Sequence, residues 1–139
     1  VRTVAEKMGL RAGSRAYFIG APSDAHAAMK LPELEIPSSL DGMFDHIHLF
    51  VLTASDLNEQ FPTLRNHVAP KGRLWVSWPK GKQNRTDLNI REVIRIGYQH
   101  GMVENTALSF NEVWSALKFT MPIPGRRYNN NYGALPDPS

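Results

Sequence analysis

The segment FDHIHLFVL, residues 44–52, constrains the fold more than any other part of the chain. After Asp45 it is almost continuously apolar. A strand with one solvated face alternates apolar and polar residues, so an unbroken run is expected where helices cover both faces of a sheet. The next segment fits that demand. In SDLNEQFPTLRNHVAPKG, Leu57, Phe61, Leu64 and Val68 form one apolar stripe, with Ser55 as the expected N-cap. Pro62 lacks a backbone donor and predicts a kink or a break into two helical pieces. Pro70, Lys71 and Gly72 then form a turn into a second strand, RLWVSWP.

The flanking segments extend the pattern. In TVAEKMGLRAG, Thr3 and Glu6 have capping-box spacing and Gly9 supplies the stop, which predicts a short helix. SRAYFIG reads as a buried strand, and SDAHAAMK as a short helix capped by Ser23 or Asp24. LPELEIPSS, fenced by Pro32 and Pro37, holds at most one brief strand. Beyond the loop after Trp78, Ile90, Val93, Ile94 and Gly97 define a helix face that Gly101 ends. MVENTALSF and EVWSALKFT, separated by Asn111, predict an antiparallel hairpin. The order strand, helix, strand, helix, strand, helix, hairpin predicts an α/β three-layer sandwich, its mostly parallel sheet closed by an antiparallel C-terminal hairpin. Residues 1–121 are expected to form a single domain. Residues 122–139, rich in proline and asparagine, read as an extended or disordered tail, a candidate docking arm.

Composition narrows the function classes. A chain of 139 residues fits one domain with a real core, and 42% hydrophobic against 21% charged content argues against disorder. No apolar run approaches the ~20 residues that span a bilayer, and no signal-peptide series is present; a bacterial or cytoplasmic setting is the default expectation. Val1 in place of Met reads as a fragment or a processed chain. The absence of cysteine excludes disulfides, thiolate metal sites and cysteine nucleophiles. The formal charge of +3 comes from scattered bases, with small groups at Lys80, Lys82, Arg85 and at Arg126, Arg127. A solvated surface is the expected meaning, and nucleic acid an unfavoured partner.

FDHIHLFVL, APKGRLWVSWP and the closing pair GMVENTALSF and EVWSALKFT resemble the fourth, fifth and last strands of a class I methyltransferase domain, a Rossmann-like fold. The span from Val4 to Thr120 further resembles a small bacterial family of uncharacterised proteins, through AEKMGLRAGSRAYFIGAP, LWVSWPK, TDLN and WSALKF. The resemblance implies an S-adenosylmethionine site, and the chain departs from it in two places. The glycine-rich turn after the first strand reads YFIGAPSDAH, with Gly20 alone where close backbone approach needs several glycines. The acidic residue expected to end the second strand falls to Glu33 or Glu35, in a segment too short for the usual extra strand and helix. A reduced methyltransferase-like domain is the expected state.

In an open α/β sheet, ligands bind beyond the carboxyl ends of the strands. Candidate ligand-binding residues there are Gly20, Ser23, Thr53, Ser55, Trp78, Lys80, Lys82, Asn84 and Arg85. Lys80, Lys82 and Arg85 can neutralise a phosphate or carboxylate, Asn84 can direct a hydrogen bond, and residues 86–89, read as a helix start, add free amides. Trp75 and Trp78 point to opposite sheet faces and are read as core. Lys118, on the face of Trp114 and Ala116, is read as covering a ring with its alkyl stem. His46 and His48 share a strand face but lack an identifiable third metal ligand, so hydrogen-bonded or partly exposed histidines are expected. His67 and His100 fall near helix ends, where a cation suits the dipole. No catalytic motif emerges.

The expected function is a non-catalytic binding domain of methyltransferase-like fold, for a small anionic ligand or a protein partner. The alternative is a divergent S-adenosylmethionine-dependent methyltransferase with its site around Gly20, Glu35, Thr53 and Trp78. A third reading is nucleic-acid association through Lys80, Lys82, Arg85, Arg126 and Arg127, which predicts steep salt dependence.

Overall fold

A computed structural model describes residues 2–80, 86–109, 111–128 and 130–136. Among them the elements run α1 (Val4–Lys7), β1 (Ala16–Ile19), α2 (Ser23–Met29), β2 (Phe44–Phe50), α3 (Ala54–Arg65), β3 (Val68–Pro79), α4 (Ile90–Gln99), β4 (Val103–Ser109) and β5 (Trp114–Thr120). The five-stranded sheet has the order β1-β2-β3-β5-β4. β1, β2 and β3 pair in parallel, while β5 lies antiparallel between β3 and β4. The sheet is therefore mixed rather than mostly parallel, with two parallel and two antiparallel pairings, and it is open: β1 and β4 lie at its edges, and the hairpin ends it without closing it.

The continuous apolar run has the predicted cause. Along β2, Ile47 and Leu49 point into a large core completed by Leu57, Phe61 and Leu64 of α3 and Val93 and Ile96 of α4. Phe50, one register over, points into a smaller core with Trp75, Trp114, Met8, Ala25 and Met29, beneath α1 and α2. Both tryptophans of β3 are buried, Trp75 on the second face and Trp78 on the first, as period two requires.

Several local expectations need correction. Thr53, not Ser55, caps α3: its side chain accepts from Asp56 N–H at 3.1 Å, and Ala54 N–H is held by Asp87 Oδ1 at 2.8 Å. Pro62 lies inside an unbroken helix instead of dividing it, because the buried stripe on either side anchors both halves. Pro22, without a side-chain bond, occupies the N-cap of α2, so neither Ser23 nor Asp24 caps it. Residues 86–89 do not begin a helix. α4 starts at Ile90 with Asn89 as cap, its side chain accepting from Glu92 N–H at 3.0 Å. Ile90 is 43% exposed and leaves the helix face to Val93, Ile94 and Gly97. The expected turn at Pro70, Lys71 and Gly72 is a register shift inside one long strand, since Phe44 pairs with Val68 and His46 with Arg73.

Gly97 has a direct structural reason. A Cβ there would sit 2.0 Å from Cε1 of the buried Phe119, so α4 lies on β5 at a distance only glycine permits. The tail residues 122–136 that are described form no helix or strand, yet they are not free of the domain. Tyr128 and Leu135 pack against the larger core, Asn130 Nδ2 donates to Glu104 Oε1 at 2.8 Å, and Gly133 abuts Arg95 and Tyr98 of α4.

Candidate functional site

The carboxyl ends of β1, β2 and β3 meet the starts of α2, α3 and the β3–α4 connection. At the first of these, Gly20 adopts φ +74°, and a Cβ on it would lie 2.9 Å from the Phe50 carbonyl oxygen. The turn is closed onto the end of β2, so the glycine serves backbone against backbone. Beside it lies a hollow of about 430 Å³, lined by Gly20, Phe50, Leu52, Asp56, Gln60 and Trp114. Ser23 is the exposed first residue of α2, and Ser55 is exposed in the first turn of α3. Thr53 is committed to the helix cap.

The acidic segment lies at the other end of the sheet. Glu35 makes an isolated parallel bridge with Arg15, just before β1: Ala16 N–H donates to Glu35 O at 2.9 Å, and Glu35 N–H to Ser14 O at 3.0 Å. Its carboxylate pairs with Arg15 at 2.8 Å. This is a one-residue remnant of a further strand outside β1. It stands at the amino end of the sheet, where it cannot hold a ribose beyond the carboxyl ends.

A second cleft, of about 660 Å³, opens between the β3–α4 connection and the β4–β5 hairpin. Trp78, Lys80, Thr86, Asp87, Ile90 and Leu108 are among its walls. Of the nine candidates, the structure brings Trp78 and Lys80 together here, while Lys82, Asn84 and Arg85 lie outside the described residues. Lys80 is tied to the hairpin, its Nζ donating to Ser109 Oγ and, at 2.6 Å, to the Asn111 carbonyl. The connection is latched in turn: Thr86 Oγ1 donates to Leu52 O at 2.6 Å, and Asp87 caps α3. Sequence reasoning brought residues 86–89 to this edge only as free amides and missed the side-chain roles of Thr86 and Asp87. Their Thr-Asp-x-Asn pattern is an N-terminal signal that serves two helices here, Asp87 for α3 and Asn89 for α4.

Exposed apolar side chains ring this edge. Leu52 is 50% exposed, Ile90 43% and Val113 38%. The edge therefore offers an apolar cleft with hydrogen-bonding walls, and the one described lysine in it already has partners.

The histidine pair lies mid-sheet and is fully buried, so of the two expected states partial exposure holds for neither, while the hydrogen-bonded state holds for His48. His48 Nε2 and Ser77 Oγ are 2.6 Å apart, and the His48 ring stacks on Phe50. Neither ring nitrogen of His46 has a hydrogen-bond partner among the described residues. Burial, helped by His48 and Arg73, holds the His46 pKa well below its usual value, and burial takes His48 down to about 3. Both rings are neutral at physiological pH. No group of three or more potential metal ligands is gathered among the described residues. Lys118 faces Trp75 across the ladder, and burial together with Arg73 lowers its pKa. His100 also departs from the expected helix-end cation, because burial and Arg65 lower its pKa against the dipole. His67 sits past the end of α3 and is hydrogen-bonded through Nδ1 to Gly42 O at 2.6 Å. The basic groups invoked for nucleic acid are divided. Lys80 follows β3 at the carboxyl edge, whereas Arg126 and Arg127 line a cleft with Gly101, the turn into β4 at the amino edge.

Comparison with solved structures agrees with this topology. The chain is similar to a ribosomal protein methylase from Lactobacillus delbrueckii subsp. bulgaricus, at TM-score 0.55 and 13% identity over 85% of this chain and 74% of that one. It is similar to magnesium protoporphyrin IX methyltransferase from Synechocystis with bound SAH, at TM-score 0.54 and 11% identity over 85% and 78%. A TehB-like SAM-dependent methyltransferase from Corynebacterium glutamicum matches at TM-score 0.52 and 12% identity over 86% and 85%. No family model and no curated protein matches the chain. At these identities the likeness establishes a methyltransferase-like, Rossmann-like α/β fold, with function left to the site itself. No helix among the described residues is long and apolar enough to cross a membrane.

Proposed function

We propose that this chain is a non-catalytic binding domain on a reduced methyltransferase-like frame, with its ligand face at the carboxyl edge beside Trp78. The observation that carries this reading is the turn at Gly20: the space where its side chain would be is taken by the Phe50 carbonyl, so the turn's one glycine serves backbone packing and not close approach to an adenosyl cofactor. The placement of Glu35 at the amino end, paired with Arg15, supports it by removing the ribose acceptor. The partner favoured at this edge presents apolar groups, since Leu52, Ile90 and Val113 are exposed around a cleft walled by Trp78 and Leu108. The small-anion reading rests on the sequence of the loop, Lys82 and Arg85 above all. Membership of the small bacterial family rests on the stretches AEKMGLRAGSRAYFIGAP, LWVSWPK, TDLN and WSALKF, and a cytoplasmic setting is proposed as the default.

A divergent S-adenosylmethionine-dependent methyltransferase is the second reading, favoured by the hollow beside Gly20 and Asp56. Thermal unfolding with S-adenosylmethionine and S-adenosylhomocysteine separates the two. A cofactor at 100 times its dissociation constant stabilises a fold by about 2.7 kcal/mol, roughly 5–15 °C for a domain near this size. The expected result is no shift with either compound. A saturable rise would replace the binding-domain reading with the enzyme.

A further inference from the structure

The tail holds a feature that its proline and asparagine content conceals. Ile123, Pro124, Gly125 and Arg126 form a β-turn: Arg126 N–H donates to Ile123 O at 3.1 Å, and Gly125 has φ +82°. Proline followed by a positive-φ glycine is the signature of a type II turn. The turn is pinned from the far side, because Ile123 N–H donates to the Tyr128 hydroxyl at 2.8 Å and Tyr128 packs on the main core. Arg126 and Arg127 therefore stand on a fixed piece of backbone.

They face a cleft of about 720 Å³ between the tail and the ends of α3 and α4, a size that suits a small organic molecule. Its third cation is Arg65, the last residue of α3. The Arg65 guanidinium lies over Gly101, whose missing side chain makes the room: a Cβ there would be 3.2 Å from Arg65 Nε. That Nε is buried and has no hydrogen-bond partner among the described residues. A place at the ends of two helices explains a cation at this position, but it leaves the buried donor without an acceptor. None of the three arginines is ion-paired among the described residues. Glu104, which lies with Arg126 along an adjoining groove, accepts from Asn130 instead. The remaining walls are apolar, with Ile123 51% exposed and Tyr128 and Leu135 beside it.

We infer that this cleft binds an organic anion: a phosphate or carboxylate head met by Arg65, Arg126 and Arg127, carried on an apolar or aromatic body that lies against Ile123, Tyr128 and Leu135. Three permanent cations gathered on one cleft repel one another, and an entering anion relieves that repulsion by meeting the guanidinium groups. The apolar wall makes the head alone a weaker ligand than head and body together.

The test is a titration of the whole chain, monitored by amide NMR shifts, with phenyl phosphate, benzoate, inorganic phosphate and phenol. Phenyl phosphate or benzoate is expected to saturate with a Kd of about 1 mM or tighter, moving the amides of Gly101 and of residues 123–128. Phosphate and phenol are each expected to bind at least tenfold more weakly. Whichever aromatic anion binds more tightly identifies the head group. The variant Arg126→Ala/Arg127→Ala, altered only at exposed positions, is expected to fold and to weaken binding at least tenfold. Absence of saturation overturns the inference. So does binding that the double variant leaves unchanged, or shifts confined to the edge at Trp78 and Lys80. The cleft is at the opposite end of the sheet from the proposed ligand face, so its failure and that of the binding-domain reading are separate results.

Discussion

The two faces of the sheet are built on opposite principles. Under α3 and α4, β2 contributes Ile47 and Leu49, β3 contributes Leu74 and Val76, and the helices answer with Leu57, Phe61, Val93 and Ile96. Under α1 and α2, the same two strands contribute His46, His48, Trp75 and Ser77, all fully buried. On that face the Nε of Arg73, the indole N–H of Trp75 and both nitrogens of His46 lack hydrogen-bond partners among the described residues. The first face is packed from apolar groups alone, while the second is an apolar core that also encloses polar groups with incomplete partners. Shape failures should act at every pH, while the polar face should act as a liability that depends on acid.

The largest expected effect breaks the apolar face at its closest contact. Gly97→Ala removes a helix-interior glycine, a gain of at most about 1 kcal/mol in propensity. Its new methyl, however, would meet the buried Phe119 ring at 2.0 Å. Overpacking of a closed core costs about 1–3 kcal/mol, and a ring that sits at 0% exposure has little room to give. With the overpacking cost near its upper end and the propensity gain set against it, a net loss of about 2 kcal/mol is expected in chemical denaturation, unchanged between pH 7 and pH 5. A stabilised variant would show that α4 moves freely on the sheet.

Acid sharpens the comparison from the other side. The folded-state pKa values of His46 and His48 are depressed, His48 to about 3, against an unfolded value near 6.5. The unfolded chain therefore binds more protons throughout that window. The stabilising contribution is complete above about pH 6.5 and is lost as pH falls towards the folded values. For His48 this amounts to about 2 kcal/mol between pH 6.5 and pH 5, at ~1.4 kcal/mol per unit. His46→Leu deletes two buried nitrogens with no partner, so it should raise stability at pH 7 and reduce the acid slope. An unchanged slope would mean that His46 is protonated or solvated in the folded state.

The same contrast explains what the sequence discloses. The apolar face was legible because period-two strands and the 3.6-residue stripe of Leu57, Phe61 and Leu64 arise from backbone geometry alone. The β4–β5 hairpin was legible for the same reason, with Asn111 Oδ1 accepting from the amides of Val113 and Trp114 at 2.8 Å. The polar face was not. Nothing local tells a buried histidine from an exposed one, and His46 is covered by Phe18, a strand away in the sequence. The candidate site was legible only as an edge. Trp78 near the end of β3 and Lys80 just past it could be read as edge positions, but the fixing of Lys80 by the hairpin depends on Ser109 and Asn111, 29 and 31 residues on. The hold of Asp87 Oδ1 on Ala54 N–H, beside the local Thr53 cap, is another long-range contact that a local search misses. At the amino edge a signal did exist: Pro124-Gly125 marks a turn in a segment otherwise read as featureless.

The smallest expected effect tests whether the polar face is held by pairs or by packing. His48 Nε2 and Ser77 Oγ form a buried pair on this face, 2.6 Å apart. Ser77→Ala removes the hydroxyl and deprives a buried nitrogen of that partner, which should cost about 1–2 kcal/mol. If pairing is the cause, replacing both members by apolar groups of similar shape should recover most of the loss. His48→Phe/Ser77→Ala is then close to wild type at pH 7, because neither polar group is left to desolvate and the new ring can stack on Phe50 as His48 does. The double variant should also lose His48's share of the acid slope, leaving that of His46. Additive losses in the double-mutant cycle would assign the stability of this face to the shape of the imidazole, and would make the two faces alike in principle.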